Sequence, residues 1–231
     1  MEIRPIAYFH SPLPEKFGIP RQSGLTPTLP GKIVLEAEFR SPEALRGMEG
    51  FDYLWLIWGF SLNRNSPHKL TVRPPRLGGN RRIGVFASRS PFRPNPLGLS
   101  SVRIASVDPD RGVIEVLGAD LADGTPIYDI KPYVRYADSH PEARSGFADS
   151  EEWQPLDVTF AEGVRDTLSD RLGPDGLAAL CEVLGQDPRP GYQDDPGRIY
   201  GLSFSGLEIK FRVDGNVLEV TGAEYTQDMN K

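Results

Sequence analysis

The residues able to do chemistry in this chain are concentrated in two arginine-bearing loops. One runs Thr71-Val72-Arg73-Pro74-Pro75-Arg76-Leu77-Gly78-Gly79-Asn80-Arg81-Arg82. The other runs Gly84-Val85-Phe86-Ala87-Ser88-Arg89-Ser90-Pro91-Phe92-Arg93-Pro94-Asn95-Pro96-Leu97-Gly98. Proline fixes the backbone, glycine lets a second group come close, and each guanidinium presents a planar fork of donors suited to carboxylate or phosphate. Loops of this kind build a rigid pocket for an anion; a stiff structural loop with solvating arginines is the alternative. Both sit in a stretch without acids. From Tyr53 to Val107, 55 residues, there is no Asp or Glu, where a proportional share of the chain's 32 acids would be between seven and eight. The stretch carries nine basic residues against a net charge of −6 for the whole 231-residue chain, so the remainder carries −15. An acidic protein with one basic block is arranged to meet an anion at one face; a solvated basic loop paired with the acidic C-terminal part is the alternative.

Other catalytic signatures are scarce. His10, His68 and His140 are too scattered for a metal site, and none is expected. Cys181, the only cysteine, excludes an intrachain disulfide and sits among Leu177, Leu180 and Leu184 as a buried, inert thiol. No G-x-S-x-G, H-E-x-x-H or Walker A string occurs, and Gly78-Gly79-Asn80 has no βαβ unit around it, which argues against a doubly wound nucleotide-binding fold. Asp120-Leu121-Ala122-Asp123-Gly124-Thr125-Pro126 reads as a turn presenting backbone groups and two carboxylates.

The elements that must hold these loops are short strands. Ile3 to Phe9, Lys32 to Phe39, Phe51 to Phe60, Arg82 to Ala87, Leu99 to Val107, Val113 to Leu117 and Pro126 to Ile130 all read as strands, the Phe51 run apolar on both faces and therefore central. Five prolines keep Ser11 to Gly31 an extended loop, and Ser41-Pro42-Glu43 opens one helical turn capped by serine. Short strands at near-even spacing indicate an antiparallel barrel or sandwich. After about Ser150 the texture changes: two short helices, Gly163 to Leu172 and Pro174 to Leu184, are parted by Gly173, and a hairpin follows at Leu207–Val213 and Val217–Thr221. This tail holds 17 acids and seven bases from Asp149 onward and reads as a small second domain. The longest apolar run, Tyr53 to Phe60, is too short for a transmembrane helix, and Met1 to Pro5 lacks a secretion signal, so a cytoplasmic location is the default.

Pro20-Arg21-Gln22, the two arginine loops, Asp123-Gly124-Thr125-Pro126 and Asp129-Ile130-Lys131-Pro132-Tyr133 together resemble the TrmO (YaeB, TsaA-like) family of S-adenosylmethionine-dependent tRNA methyltransferases. Arg189-Pro190-Gly191-Tyr192-Gln193 and Arg198-Ile199-Tyr200-Gly201 resemble that family's C-terminal domain, so the likeness covers nearly the whole chain. It departs at Ser61-Leu62, where relatives carry His-Gln, and at Gly191, where they carry alanine. The resemblance implies a mainly β protein: a single-sheet antiparallel β-barrel over residues 1–148, cofactor-binding and catalytic, and a small α+β domain over 149–231 assisting tRNA recognition. It implies a homodimer that methylates N6 of threonylcarbamoyl-adenosine, adenosine-37 beside the anticodon, in threonine tRNA. The family's S-adenosylmethionine contacts map onto Pro20, Arg21, Gln22, Phe60, Ser61, Arg89, Leu99, Ala122, Asp123, Gly124 and Thr125. For the tRNA the residues offered are Arg73, Arg76, Arg81, Arg82 and Arg93 of the basic block, Lys131 and Tyr133, and Arg189, Tyr192 and Arg198 of the tail. Asp129 is a candidate base, with a salt bridge to Lys131 or Arg135 as its other reading; Phe92 and Tyr133 either stack on a splayed base or pack in the core; Arg189 and Arg198 either grip RNA or pair with Asp187, Asp194 and Asp195. Methyl transfer from a sulfonium needs no enzyme nucleophile, so the empty Cys/His shortlist is consistent with it. A non-catalytic RNA-binding barrel and a same-family methyltransferase with another substrate are the competing readings.

Overall fold

Alternating apolar residues put one face of each early strand inside: Ala7 and Phe9 on β1 (Ala7–His10), and Ile33 and Leu35 on β2 (Pro30–Leu35), are buried while their neighbours face out. The computed structural model describes residues 2–63, 67–74, 81–149, 154–189 and 195–226. A helical turn α1 (Pro42–Leu45), capped by Ser41 Oγ accepting from the Glu43 N–H, leads into β3 (Tyr53–Gly59). The two-residue strands β4 (Thr71–Val72) and β5 (Ile83–Gly84) pair only with each other, and β6 (Leu97–Asp108), β7 (Val113–Leu117) and β8 (Thr125–Pro132) follow. Strands β1-β2-β7-β6-β3-β8 close into one antiparallel barrel, β8 pairing back onto β1. β3 is not a central strand, since closure gives every barrel strand two neighbours: Leu54, Leu56 and Trp58 point into the core, while Tyr53, Trp55 and Ile57 stand on the outer face.

Past α2 (Arg135–Asp138) lies an α+β unit. Strand β9 (Asp157–Phe160) runs parallel to β12 (Val217–Tyr225), and the sheet order is β10 (Tyr200–Phe204), β11 (Leu207–Asp214), β12, β9. Helix α3 (Val164–Gly185) packs on this sheet and is broken at Gly173, whose φ of 70° and ψ of 173° are non-helical, with Pro174 restarting it. No helix among the described residues is long and apolar enough to cross a membrane.

Two expected strands are shorter than their alternation suggests. β2 stops at Leu35 because its partner β7 begins at Val113, opposite Val34; Ala37–Phe39 turns instead, with Arg40 Nη2 donating to the Leu35 carbonyl. The Arg82–Ala87 run keeps only β5, then turns through Val85–Ala87; among the described residues the strand paired with it, β4, ends after two residues. Strands β9 (Asp157–Phe160) and β10 (Tyr200–Phe204) are additions to the expected set.

The topology sets where the loops go. β1, β3 and β7 end, and β2, β6 and β8 begin, at the same rim of the barrel, so the segments 11–29, 60–96 and 118–124 all emerge there. The first of these does not stay on the barrel. Leu13 and Leu29 are fully buried in the core of the α+β unit with Leu202, Phe211 and Leu184, and Phe17 and Ile19 pack against it. Gly18, at φ +92°, lies so close that an added Cβ would sit 2.2 Å from Leu202 Cδ1. The Thr28 N–H donates to Glu182 Oε2 at 2.9 Å, and the Ser205 N–H to the Pro12 carbonyl at 2.8 Å. Truncating Leu13 to alanine leaves a cavity in the second core, and urea denaturation should show a loss of about 2–5 kcal/mol.

Candidate active site

The three rim segments, with Ser145, Phe147 and Ala148 from the stretch after α2, enclose a cleft of about 1750 Å³. That is larger than the roughly 300–1,000 Å³ that holds one drug-sized ligand, leaving room for a small donor and part of a second molecule. Segment 118–124 is tied to the first by Gly24 N–H to Gly118 O at 2.8 Å and Gly118 N–H to Leu29 O at 2.9 Å. The middle segment is organised by its serines. Ser88 Oγ accepts from the Ser90 N–H and Ser90 Oγ from the Phe92 N–H, while Arg93 Nη1 donates to the Ser88 and Ser90 carbonyls at 3.0 and 3.3 Å. Lys69 Nζ lies 4.7 Å and Lys16 Nζ 6.0 Å from the Phe92 ring centre, so cations cover that ring.

Nine of the eleven residues anticipated for a cofactor line this cleft: Pro20, Arg21, Gln22, Phe60, Ser61, Arg89, Leu99, Ala122 and Thr125. Arg89 Nη1 donates to Gln22 Oε1, joining the first and second segments. Asp123 and Gly124 do not line it. They brace its edge, Asp123 Oδ1 accepting from the Ser11 N–H at 3.0 Å and pairing with His10, and the Gly124 N–H donating to Phe9 O at 2.8 Å.

Of the residues expected to meet RNA, Arg73, Arg82 and Arg93 line the cleft and Arg81 is exposed beside them. Arg76 and Tyr192 lie outside the described residues. Lys131 and Tyr133 are not in the cleft: Lys131 Nζ pairs with Asp129 Oδ2 at 2.8 Å, and Tyr133 packs against Tyr53 and Trp55 with ring centres 6.1 and 5.8 Å away. Asp129 is therefore held in an ion pair, and on its sheet Ile57 stands between it and Leu99. In the α+β unit Arg189 forks onto Asp187 at 2.9 and 3.0 Å, Arg198 lies 5.2 Å over the Tyr200 ring, and Tyr200 is buried in the core. Cys181 packs against that core, where burial pushes its thiol pKa up.

The site also holds residues that pattern reading missed. Phe86 projects into the cleft 76% exposed. Deeper in, Trp58 Nε1 donates to Ser100 Oγ at 2.9 Å, and Ser100 Oγ donates to Asp120 Oδ1 at 2.5 Å. Gly98 makes this possible, since a Cβ there would lie 2.2 Å from the Trp58 ring. The signal for Asp120 was its place one turn before Asp123-Gly124; Trp58 read only as an apolar strand residue. Burial pushes the Asp120 carboxyl above its usual range, although Ser100, its own and the Ser23 backbone N–H groups, and the Arg89 charge pull the other way.

Two family models match the chain: the tRNA-methyltransferase O N-terminal domain over residues 8–139 and the TrmO C-terminal domain over 153–225. This chain belongs to the TrmO family. It is 39% identical over 225 residues to a protein of Escherichia coli strain K12 named tRNA (adenine(37)-N6)-methyltransferase, covering 95% of this chain and 96% of that one. A protein of Pyrococcus abyssi named as a probable S-adenosyl-L-methionine-binding protein is 36% identical over 163 residues, 71% of this chain and 81% of that one. A crystal structure of TrmO from Pseudomonas aeruginosa superposes with a TM-score of 0.80 at 32% identity, covering 97% of this chain and 98% of its own. The family's barrel and appended α+β unit are thus the fold seen here.

Asp120 gives the cleft a pH-dependent cost. Its folded pKa lies above the unfolded value of about 3.9, so between those two values the folded state holds more protons and stability falls as pH rises. Asp120→Asn removes that slope. Thermal melts should show the variant at or above the wild type at neutral pH, with the difference closing as pH falls toward the ordinary carboxylate range.

Proposed function

We propose that this chain is an S-adenosylmethionine-dependent tRNA methyltransferase acting on N6 of adenosine-37, with threonylcarbamoyl-adenosine of threonine tRNA as its acceptor. The observation that carries the reading is the meeting of Pro20-Arg21-Gln22, Phe60-Ser61, Arg89, Leu99, Ala122 and Thr125, drawn from three separate rim segments and two strands, in a single cleft. The donor set fits a nucleoside cofactor with a charged amino-acid tail. Trp58 and Phe60, in edge contact at 4.5 Å between ring centres, offer an apolar wall, and Arg89 and Arg21 offer guanidinium groups for a carboxylate. When bound, the cofactor supplies an electrophilic methyl group. What the chain contributes is alignment: the rim segments hold acceptor and donor together, and the barrel keeps the wall rigid.

The cations of the same cleft, Lys16, Lys69, Arg73 and Arg82 among them, support an RNA backbone as the second occupant. A homodimer and a cytoplasmic location belong to the same reading. For the dimer, the outer face of the barrel offers Tyr53, 43% exposed, and Leu99, 54% exposed, flanking the half-buried Trp55 and Ile57. Light scattering at micromolar concentration should then give about twice the 25.6 kDa chain mass.

Calorimetry with S-adenosylmethionine and methyl transfer to tRNA, with and without prior threonylcarbamoylation, test the whole. Binding of S-adenosylmethionine, together with transfer that requires the modified nucleoside, sustains the reading. RNA binding with no affinity for S-adenosylmethionine would make the protein a non-catalytic RNA-binding barrel. Arg89→Ala, which removes a charge-assisted contact of about 1.5–3 kcal/mol, should bind the cofactor at least about tenfold more weakly, and tRNA affinity should fall steeply as salt rises.

A further inference from the structure

Methylating an adenine N6 that carries hydrogen releases a proton, and the inference that follows rests on the methyl-transfer reading above. A neutral exocyclic nitrogen shares its lone pair with the ring, and a carbamoyl substituent withdraws it further, so a group that takes the proton as the new bond forms lowers the barrier. Among the described residues the cleft is lined by seven cations and a single carboxylate, Asp120, with no histidine, cysteine, tyrosine or glutamate. Asp129, the acid that sequence reasoning offered, is outside the lining and tied to Lys131.

The hydrogen bonds around Asp120 are directional. An indole N–H can only donate, so Ser100 Oγ accepts from Trp58 and its own proton turns toward Asp120 Oδ1. The backbone N–H groups of Ser23 and of Asp120 itself also favour the carboxylate form. Two carboxylate oxygens offer about four acceptor sites; Ser100 takes one, and the partly buried Asp120 lines the cleft through which a further donor can arrive.

We propose that Asp120 is the general base of the methyl transfer. The bond between N6 and the incoming carbon forms as the carbon–sulfur bond breaks, and that bonding pair stays on sulfur. The N6–H pair stays on nitrogen while its proton passes to Asp120, which later returns it to water. The environment suits the task. Enclosure raises the basicity of the carboxylate, and the other charged side chains that line the cleft among the described residues are all positive; of these the Arg89 charge acts on it directly. The Arg89 charge favours the ionised form, against the burial that favours the protonated one.

The test uses the full-length protein, single-turnover methyl transfer across a pH series, and calorimetry. Wild-type transfer should rise with pH through the Asp120 pKa and then level. Asp120→Asn should fold, bind S-adenosylmethionine and tRNA as tightly as the wild type, and transfer about 10²–10⁴-fold more slowly with the acidic limb gone. Ser100→Ala, which takes a donor from the carboxylate, should keep transferring but move the limb to higher pH. An Asp120→Asn enzyme with wild-type rate and limb overturns the assignment. So does one whose cofactor affinity falls by as much as its rate, which would make Asp120 a counter-charge for the sulfonium. A Ser100→Ala limb that does not move also overturns it. These failures leave the methyltransferase reading standing, since the wild type remains active; a wild type that transfers no methyl to tRNA brings down both.

Discussion

The segment 11–29 is held from two sides, and the cleft depends on that. Its leucines are sunk in the α+β core, its backbone is tied to Gly118 and Asp123 of the barrel, and Arg21 and Gln22 are carried between those anchorages into the cleft. Neither anchorage suffices alone. A loop fixed only at its ends on a barrel rim keeps most of its conformational freedom, whereas burying Leu13 and Leu29 offsets that entropy with apolar surface removed from water. The α+β unit thus acts on the cleft without lining it: it fixes the wall on which a ligand would rest.

Charge is arranged by the same economy of position. The chain keeps acids out of residues 53–107, and the fold then returns one acid to that basic surroundings by way of a neighbouring rim segment. Asp120 is oriented through a donor chain that begins on β3, passes through β6 and ends on the β7–β8 connection. Two strands of the barrel therefore determine where one carboxylate on a rim connection points. The glycine at position 98 matters for the same reason, since it leaves space for the ring that starts the chain.

Much of this was legible before any coordinates. The strand at Tyr53–Gly59 announced itself by its long apolar run, the helix break by Gly173-Pro174, and the first helical turn by Ser41-Pro42. Those signals are local, and local propensity met no opposition. The strand ends were less legible because a strand stops where its partner stops, as at Leu35 and Gly84, and pairing is not written in either segment alone. The cleft followed a similar division. Arginine and proline in unusual loops flagged the second rim segment, but Trp58, Ser100 and Asp120 are ordinary residues at distant positions, and only closure of the barrel makes them neighbours. Asp123 and Gly124 illustrate the reverse: a strong turn signal whose side chain and backbone secure the edge of the cleft.

The double anchorage of residues 11–29 also orders events during synthesis. The last barrel strand ends at Pro132, so the sheet can close while the C-terminal third of the chain is still inside or behind the ribosome. The groove for Leu13 and Leu29 needs Leu202, Phe211 and Val220, which emerge last. At roughly 5–20 residues per second, a nascent barrel spends several seconds with an apolar N-terminal loop exposed and its ligand wall unformed. Completion of the cleft is thereby coupled to completion of the polypeptide, and a prematurely terminated chain would be a barrel that cannot hold its ligands.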